Sequence, residues 1–172
     1  MQWALYNLDM LFSDQGKLDE AEAMYTRALQ GYEEALGPKH IWTLTTVHCL
    51  GILYADQGKR AKAEAMYTRA LQGYEHALGP ELLPSYLPAL STMFAFGDLF
   101  SRTGRKDLAK VMYGRALAGY TTVQGSSSKW YKRLEDRLQA LQVASAESKV
   151  GQNGFIEPGV VNSRSLKQKL PS

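Results

Sequence analysis

The sequence has little of what a secreted or membrane-spanning protein needs. It contains one cysteine, Cys49, so no internal disulfide can form. No apolar run approaches the roughly 20 residues that a membrane-spanning helix requires, and the opening MQWALYNLDM lacks the basic and apolar regions of a secretory signal. These absences predict a protein of the reducing cytoplasm that does not insert into a membrane.

Residue patterns for catalysis, metal binding or cofactor binding are also missing. The three histidines, His40, His48 and His76, are too far apart for a helical HxxxH pair and lack a cysteine or carboxylate cluster at ligand spacing. There is no GxxxxGK[ST] or GxGxxG phosphate loop and no GxSxG turn. Cys49 follows His48, but adjacent helical residues point about 100° apart and cannot form a catalytic pair. We therefore expect no enzyme activity, no cofactor and no metal site.

The charged residues form no strong block of one sign. The net charge is +3, from 20 basic and 17 acidic residues spread along the chain. Nucleic-acid binding would depend on Lys149, Arg164, Lys167 and Lys169 near the C-terminus, opposed by Glu147 and Glu157. That alternative is the least favoured. With 45% hydrophobic residues among 172, the chain is predicted to form one folded unit.

An internal repeat dominates the sequence. DQGK occurs at residues 14–17 and 56–59, and AEAMYTRALQGYE occurs at 21–33 and 63–75, so both segments recur after 42 residues. A third, diverged copy follows 46 positions later, with Tyr113 and Tyr120 in place of Tyr67 and Tyr74. The four extra residues fall in ELLPSYLP at 81–88, where the two prolines predict a longer connecting loop or a longer helix start.

Each copy has the spacing of two helices, A and B. In the first B helix, apolar residues recur at intervals of three and four, namely Leu18, Ala21, Tyr25, Ala28, Leu29, Tyr32 and Leu36. Gly16, Gly58 and Gly104 are predicted to lie in the turns between A and B. Gly31, Gly73 and Gly119 fall inside B helices, where glycine costs about 1 kcal/mol relative to alanine. Close packing of a neighbouring helix is the expected compensation.

The second copy resembles the tetratricopeptide repeat through Leu50, Gly51, Tyr54, Gly58, Ala63, Tyr67 and Ala70. The 42-residue period and the linker LGPKHIWTL at 36–44 look like the kinesin light chain subclass. Asp9 departs from the signature, which has a small residue there. Of the paired asparagines that kinesin light chains carry in helix A, this chain matches only Asn7, so their cargo recognition is not carried over.

The resemblance covers about residues 4–123 and implies an all-α architecture, an α-α superhelix of about three hairpins. The expected repeats are 3–36, 40–78 and 84–123. A capping helix is predicted at 126–145, because Trp130, Leu134, Leu138 and Leu141 share helical spacing after a serine-rich start. Residues 146–172 have no such period and are predicted to form a disordered tail.

The family generally binds peptides or proteins in a concave groove lined by the A helices. The resemblance places these residues in the groove: Trp3, Tyr6, Met10, Ser13, Asp14, Thr45, His48, Ile52, Ala55, Asp56, Ser91, Phe94, Asp98, Ser101 and Arg102. Alternatively, some are buried by the neighbouring repeat, since hydrophobic spacing does not separate a core from a groove.

Two functions follow from this reading. The first is a scaffold that binds a protein or peptide in the groove, either alone or as a fragment of a larger multi-repeat protein. The second is a structural element that assembles into homo-oligomers through the ends of the solenoid. Helix A of the first repeat begins almost at Met1, with Trp3 and Leu5 uncovered, which favours self-association or a longer array.

Overall fold

The structure, a computed structural model, describes residues 15–153 and the burial of side chains at 17–144. It consists of α1 Gln15–Leu36, α2 Ile41–Asp56, α3 Arg60–Leu82, a 3₁₀ helix Leu83–Ser85, α4 Leu87–Arg102, α5 Lys106–Gln124 and α6 Lys129–Asn153. These residues include no β-strand. The predicted all-α architecture is confirmed.

The helices pack as consecutive antiparallel hairpins. α2 packs on α3 and α4 on α5, so these pairs are the second and third hairpins. α1 is the B helix of the first hairpin and packs on α2, whereas the predicted first A helix lies outside the described residues. α6 then packs on α5 and occupies the place of a further A helix.

Within each hairpin, a glycine of the A helix faces a tyrosine of the B helix. A Cβ atom added at Gly51 would lie 2.6 Å from the Tyr67 ring, and one at Gly97 would lie 2.6 Å from the Tyr113 ring. Tyr67 and Tyr113 are almost completely buried. The signature glycines therefore exist because any larger side chain would separate the two helices of the hairpin.

The glycines inside the B helices are explained in the same way at two of three positions. A Cβ atom at Gly73 would lie 2.2 Å from Cδ2 of Leu44, and one at Gly119 would lie 2.3 Å from Cδ2 of Leu90. The expected close packing is confirmed there. Gly31 has no such neighbour among the described residues, and its counterpart of Leu44 would be Gln2, which lies outside them.

The linker between the first two hairpins is held by its own motif residues. Gly37 has a φ of 90°, which ends α1 at little steric cost. Nδ1 of His40 accepts a hydrogen bond from the Trp42 N–H at 3.2 Å and caps the start of α2. The Thr43 hydroxyl donates to the Gly37 carbonyl oxygen at 2.9 Å. These contacts fix the direction in which α2 leaves the linker.

The four extra residues of the second linker form ordered structure. Gly79, with φ 68° and ψ 177°, breaks α3 before its last turn. The 3₁₀ helix follows and packs against α5, with Leu83 buried in the core. α4 then has Pro88 in its first turn, where the backbone N–H that proline lacks would have no acceptor within the helix. The predicted lengthening of the connection is confirmed, because α4 begins at Leu87, the position equivalent to Ile41 at the start of α2.

The turn glycines follow the prediction at two positions. Gly58 and Gly104 have φ angles of 72° and 77° between the A and B helices. Gly16 instead lies in the first turn of α1, because that helix already begins at Gln15.

The last helix begins after Gly125, whose φ of 77° ends α5. The Ser128 hydroxyl oxygen accepts a hydrogen bond from the Tyr131 N–H at 3.2 Å. Leu134 and Leu141 of α6 are buried, and the Trp130 ring stacks on Tyr120 with the centroids 5.5 Å apart. The helix extends to Asn153, past the predicted end at residue 145. The rest of the expected disordered tail, residues 154–172, lies outside the described residues.

Candidate partner-binding surface

The expected groove residues of the second and third repeats lie on α2 and α4, which are neighbours in the stack. The two helices are joined by a hydrogen bond between Nδ1 of His48 and the Thr92 hydroxyl, 3.0 Å apart. The Thr92 hydroxyl also donates to the Pro88 carbonyl oxygen at 2.8 Å. Because the Thr92 hydroxyl hydrogen is used in the bond to Pro88, the hydroxyl oxygen accepts a hydrogen bond from the Nδ1–H of neutral His48.

His48 is buried, and its role is to pack the two repeats together. Its side chain is 7% exposed and its ring lies beside that of Tyr67, 6.1 Å between centroids. Burial lowers the pKa of His48 to about 4, because the protonated ring would lose its hydration. For this residue the alternative reading, burial by the neighbouring repeat, is the one that holds.

Phe94 takes the position of His48 in the third hairpin and is also buried. Its ring lies 5.9 Å from that of Tyr113 and 5.6 Å from that of Trp130 on α6. The guanidinium of Arg133, also on α6, lies 4.9 Å from the centroid of the ring. α6 therefore covers Phe94, so this ring is not an exposed contact for a partner.

Five other predicted residues reach the surface and form what we call the A-face: Thr45, Ile52, Asp56, Asp98 and Arg102. Ile52 is half-buried beside the core, one helical turn before the exposed Asp56. Asp56 and Arg102 occupy equivalent positions on α2 and α4, and both are exposed. Partial desolvation raises the pKa of Asp56, and the positive charge of Arg102 opposes that rise.

Thr45 and Asp98 are half-buried and already have partners within the fold. The Thr45 hydroxyl donates to the Ile41 carbonyl oxygen at 2.9 Å. Oδ1 of Asp98 accepts a hydrogen bond from the Tyr113 hydroxyl and lies 3.3 Å from Nε of Arg137. Burial, and then the neighbouring Asp98 carboxylate, raise the pKa of Tyr113. Asp98 thus connects the third hairpin to α6 while facing the surface.

The remaining predicted groove residues divide into two groups. Ala55, Ser91 and Ser101 are half-buried on α2 and α4. Trp3, Tyr6, Met10, Ser13 and Asp14 lie outside the described residues, so the contribution of the first repeat stays a prediction.

Sequence reasoning missed the ion pairs between B helices. Four glutamates of α1 and α3 pair with basic residues of the following hairpin. Lys59 Nζ lies 2.7 Å from Glu22, and Arg69 binds Glu33. The four pairs occupy equivalent positions of the repeat, although their separations of 37 and 36 residues become 41 and 40 across the longer second linker.

The same two pairs recur at the next interface. Arg105 donates both terminal guanidinium nitrogens to the two carboxylate oxygens of Glu64, at 2.8 and 2.7 Å. Arg115 Nη2 lies 2.8 Å from Glu75. The Arg105 pairing lowers the pKa of Glu64. We call these four pairs the ion-pair ladder.

Residues 15–153 bring together no group of three or more His, Cys, Asp or Glu side chains that could hold a metal ion. Within the same range, none of the helices has both the length and the apolar character to cross a membrane.

Comparison with known proteins agrees with the repeat reading. Residues 1–76 match the sequence profile of the tetratricopeptide repeat. The fold is similar to the crystal structure of BtubC (BKLC) from P. vanneervenii, with a TM-score of 0.60 and 20% sequence identity, covering 95% of this chain and 68% of that one. No curated protein matches the sequence significantly. Residues 1–76 are thus similar in sequence to the tetratricopeptide repeat, and the chain shares the fold of BtubC.

Proposed function

We propose that this chain is a non-enzymatic scaffold that binds a partner protein or peptide on the A-face. Tetratricopeptide repeats generally mediate protein–protein interaction, and stacked helical repeats present extended binding surfaces. The observation that carries the proposal is the side-by-side placement of Ile52, Asp56 and Arg102. An apolar side chain next to two exposed groups of opposite charge can anchor a segment and orient it.

The partner envisaged is an extended segment or a helix with charges of both signs. Asp56 on α2 favours a basic group of the partner, and Arg102 on α4 favours an acidic group of the partner. Since both side chains are exposed, their exchange leaves the hairpin cores intact. The interaction is expected to weaken with salt, because exposed charges are screened.

The test is affinity capture with the immobilised chain, followed by quantitative mass spectrometry. The A-face variant carries Asp56→Lys and Arg102→Glu. The matched control, Glu81→Lys with Lys129→Glu, makes the same exchange at exposed positions elsewhere. We expect a partner retained by the wild type and the control and lost by the A-face variant. Equal capture by both variants, with unchanged far-UV circular dichroism, would assign the site to another surface.

The same proposal includes the kinesin light chain-like subclass for the repeats. It is supported by the linker, in which His40, Thr43 and Gly37 of the LGPKHIWTL motif make the contacts that direct α2. A cytoplasmic location is also proposed, supported by the presence of a single cysteine, which leaves no internal disulfide to form. Imaging of the tagged chain in its own cells would test the location.

A further inference from the structure

Three equivalent positions recur on one face of every B helix. They are Lys17, Met24 and Arg27 on α1; Lys59, Met66 and Arg69 at α3; and Arg105, Met112 and Arg115 at α5. The set therefore consists of two basic residues that flank a methionine. We call the α1 set the α1 face.

In the second and third hairpins, all of these positions contact other parts of the fold. The four basic residues are the ones that pair with glutamates of the preceding B helix in the ion-pair ladder. Met66 packs against the cluster formed by Leu18, Ala21, Leu50 and Leu53, which belongs to α1 and α2. Met112 packs against the main core. The preceding repeat thus supplies an acidic partner for each basic group.

On α1 the same positions are open. Met24 is 71% exposed, more than any other large hydrophobic side chain in the described part of the chain. Lys17 and Arg27 are exposed, and among residues 15–153 neither has an ion-pair partner. The α1 face is therefore the unmatched half of an interface that the fold builds twice elsewhere.

The opposite end of the stack lacks the complementary half. Lys110 stands where α3 has Glu64, and Thr121 stands where it has Glu75. α6 packs on this end, and Nζ of Lys106 donates to the Ala144 carbonyl oxygen at 3.2 Å. A second copy stacked end to end would place Lys110 opposite Lys17. Such a copy would therefore offer Lys17 and Arg27 a lysine and a threonine in place of the two glutamates.

We propose that the α1 face is a docking surface for another helical hairpin of the same repeat type, whose B helix carries two glutamates eleven residues apart. That is the spacing of Glu22 and Glu33, and again of Glu64 and Glu75. The two glutamates bind Lys17 and Arg27, and the helix between them covers Met24. The added repeat would thereby continue the ion-pair ladder from α3 and α1 onto its own B helix.

The first test uses the native chain and hydrogen peroxide, with methionine oxidation followed by peptide mass spectrometry. Met66 and Met112 are partly buried and serve as internal references. We expect Met24 to oxidise several-fold faster than either reference. If Met24 is protected to the same degree as Met66, the α1 face is already covered and the proposal is overturned.

The second test supplies the docking hairpin as a defined probe. Residues 37–78, followed by residues 37–42, are duplicated ahead of Met1, which keeps the 42-residue period and places copies of Glu64 and Glu75 before α1. A matched control copy carries Glu64→Gln and Glu75→Gln. Each extended chain is prepared with and without Lys17→Ala and Arg27→Ala.

We expect the acidic copy to slow Met24 oxidation several-fold, and the glutamine copy to slow it less. Lys17→Ala with Arg27→Ala should lower the melting temperature of the acidic extended chain while leaving that of the native chain unchanged. Equal effects in both backgrounds, or an unprotected Met24 in a chain whose circular dichroism shows the added helix, would overturn the proposal. A native-chain dimer that Lys17→Ala abolishes would also overturn it, since the occupant would then be a second copy.

Discussion

Gly119 of α5 approaches Leu90 of α4 so closely that an added Cβ atom would lie 2.3 Å from Cδ2 of the leucine. The same Cβ atom would be 2.5 Å from the Pro84 carbonyl oxygen, which belongs to the backbone of the 3₁₀ helix. Leu90 is itself fully buried. The third hairpin therefore tolerates only hydrogen at this position.

The first prediction concerns this contact. Gly119→Ala should destabilise the fold by about 1–3 kcal/mol, because overpacking outweighs the gain in helix propensity. Gly114→Ala is the matched control on the same helix, since its added Cβ atom would meet nothing within 4 Å. We expect the control to be stabilised by up to about 1 kcal/mol. Urea unfolding followed by circular dichroism measures both; a Gly119→Ala chain as stable as the control would contradict the close approach.

The second prediction is an acid sensitivity that arises from His48. Its folded-state pKa of about 4 lies below the ordinary value of 6.5. The unfolded chain therefore binds the proton more readily, and stability is complete above pH 6.5 and lost as the pH falls toward 4. Between pH 7 and pH 5 the expected loss is about 2 kcal/mol.

The control for that experiment is His48→Phe, which installs the residue found at the equivalent position of the third hairpin, Phe94. Carboxylates and exposed histidines titrate in both proteins, so the difference in the free energy of unfolding at pH 7 and pH 5 isolates His48. A variant with the same pH dependence as the wild type would show that His48 is not buried in its neutral form.

The third prediction concerns the pair with two hydrogen bonds in the ion-pair ladder. A double-mutant cycle with Glu64→Ala and Arg105→Ala should give a coupling of about 0.5–1 kcal/mol, as expected for partly exposed pairs. Arg105 also lies 4.5 Å from the Phe100 ring centroid, and the cycle removes that contribution. Sodium chloride at 1 M should reduce the coupling. A coupling of zero at low salt would mean that the pair is formed without stabilising the stack.

The fourth prediction concerns the attachment of α6. Trp130 contacts both Tyr120 and Phe94, so Trp130→Ala should weaken the docking of α6 and cost about 2 kcal/mol. Hydrogen exchange should accelerate in α6 and around Phe94, while α2 and α3 stay protected. Lys129→Ala, a change at the adjacent exposed residue, is the control and should leave exchange unaltered. Uniform acceleration throughout the chain would indicate that α6 is needed for the whole fold.

Much of the fold could be predicted from the sequence, because the recurring glycines mark the positions where helices pack closely. Gly51 and Gly97 need tyrosines opposite them, and Gly73 needs space for Leu44, so their recurrence predicts the same hairpin each time. The end of α6 was placed too early, since the tail after residue 145 has no apolar period although its backbone continues as a helix to Asn153. Periodicity detects a packed face and not the end of a helix.

The binding surface could be predicted less well. His48 lies at helical spacing from Thr45 and Ile52 on α2, and Phe94 is its equivalent on α4. Whether such a residue is buried depends on how the next repeat packs against its helix. The ion-pair ladder was missed for a related reason. Glu64 and Arg105 are 41 residues apart, and only the stacking of two hairpins brings them together.

The insertion in the second linker has a consequence for how this protein can change in length. Glu22 and Lys59 are 37 positions apart, whereas Glu64 and Arg105 are 41 apart, yet both pairs close at hydrogen-bond distance. The connection that contains the 3₁₀ helix accommodates the four additional residues, and the helices that follow keep their positions in the repeat. A connection of different length is therefore compatible with the same stacking when it packs as this one does, with Leu83 in the core.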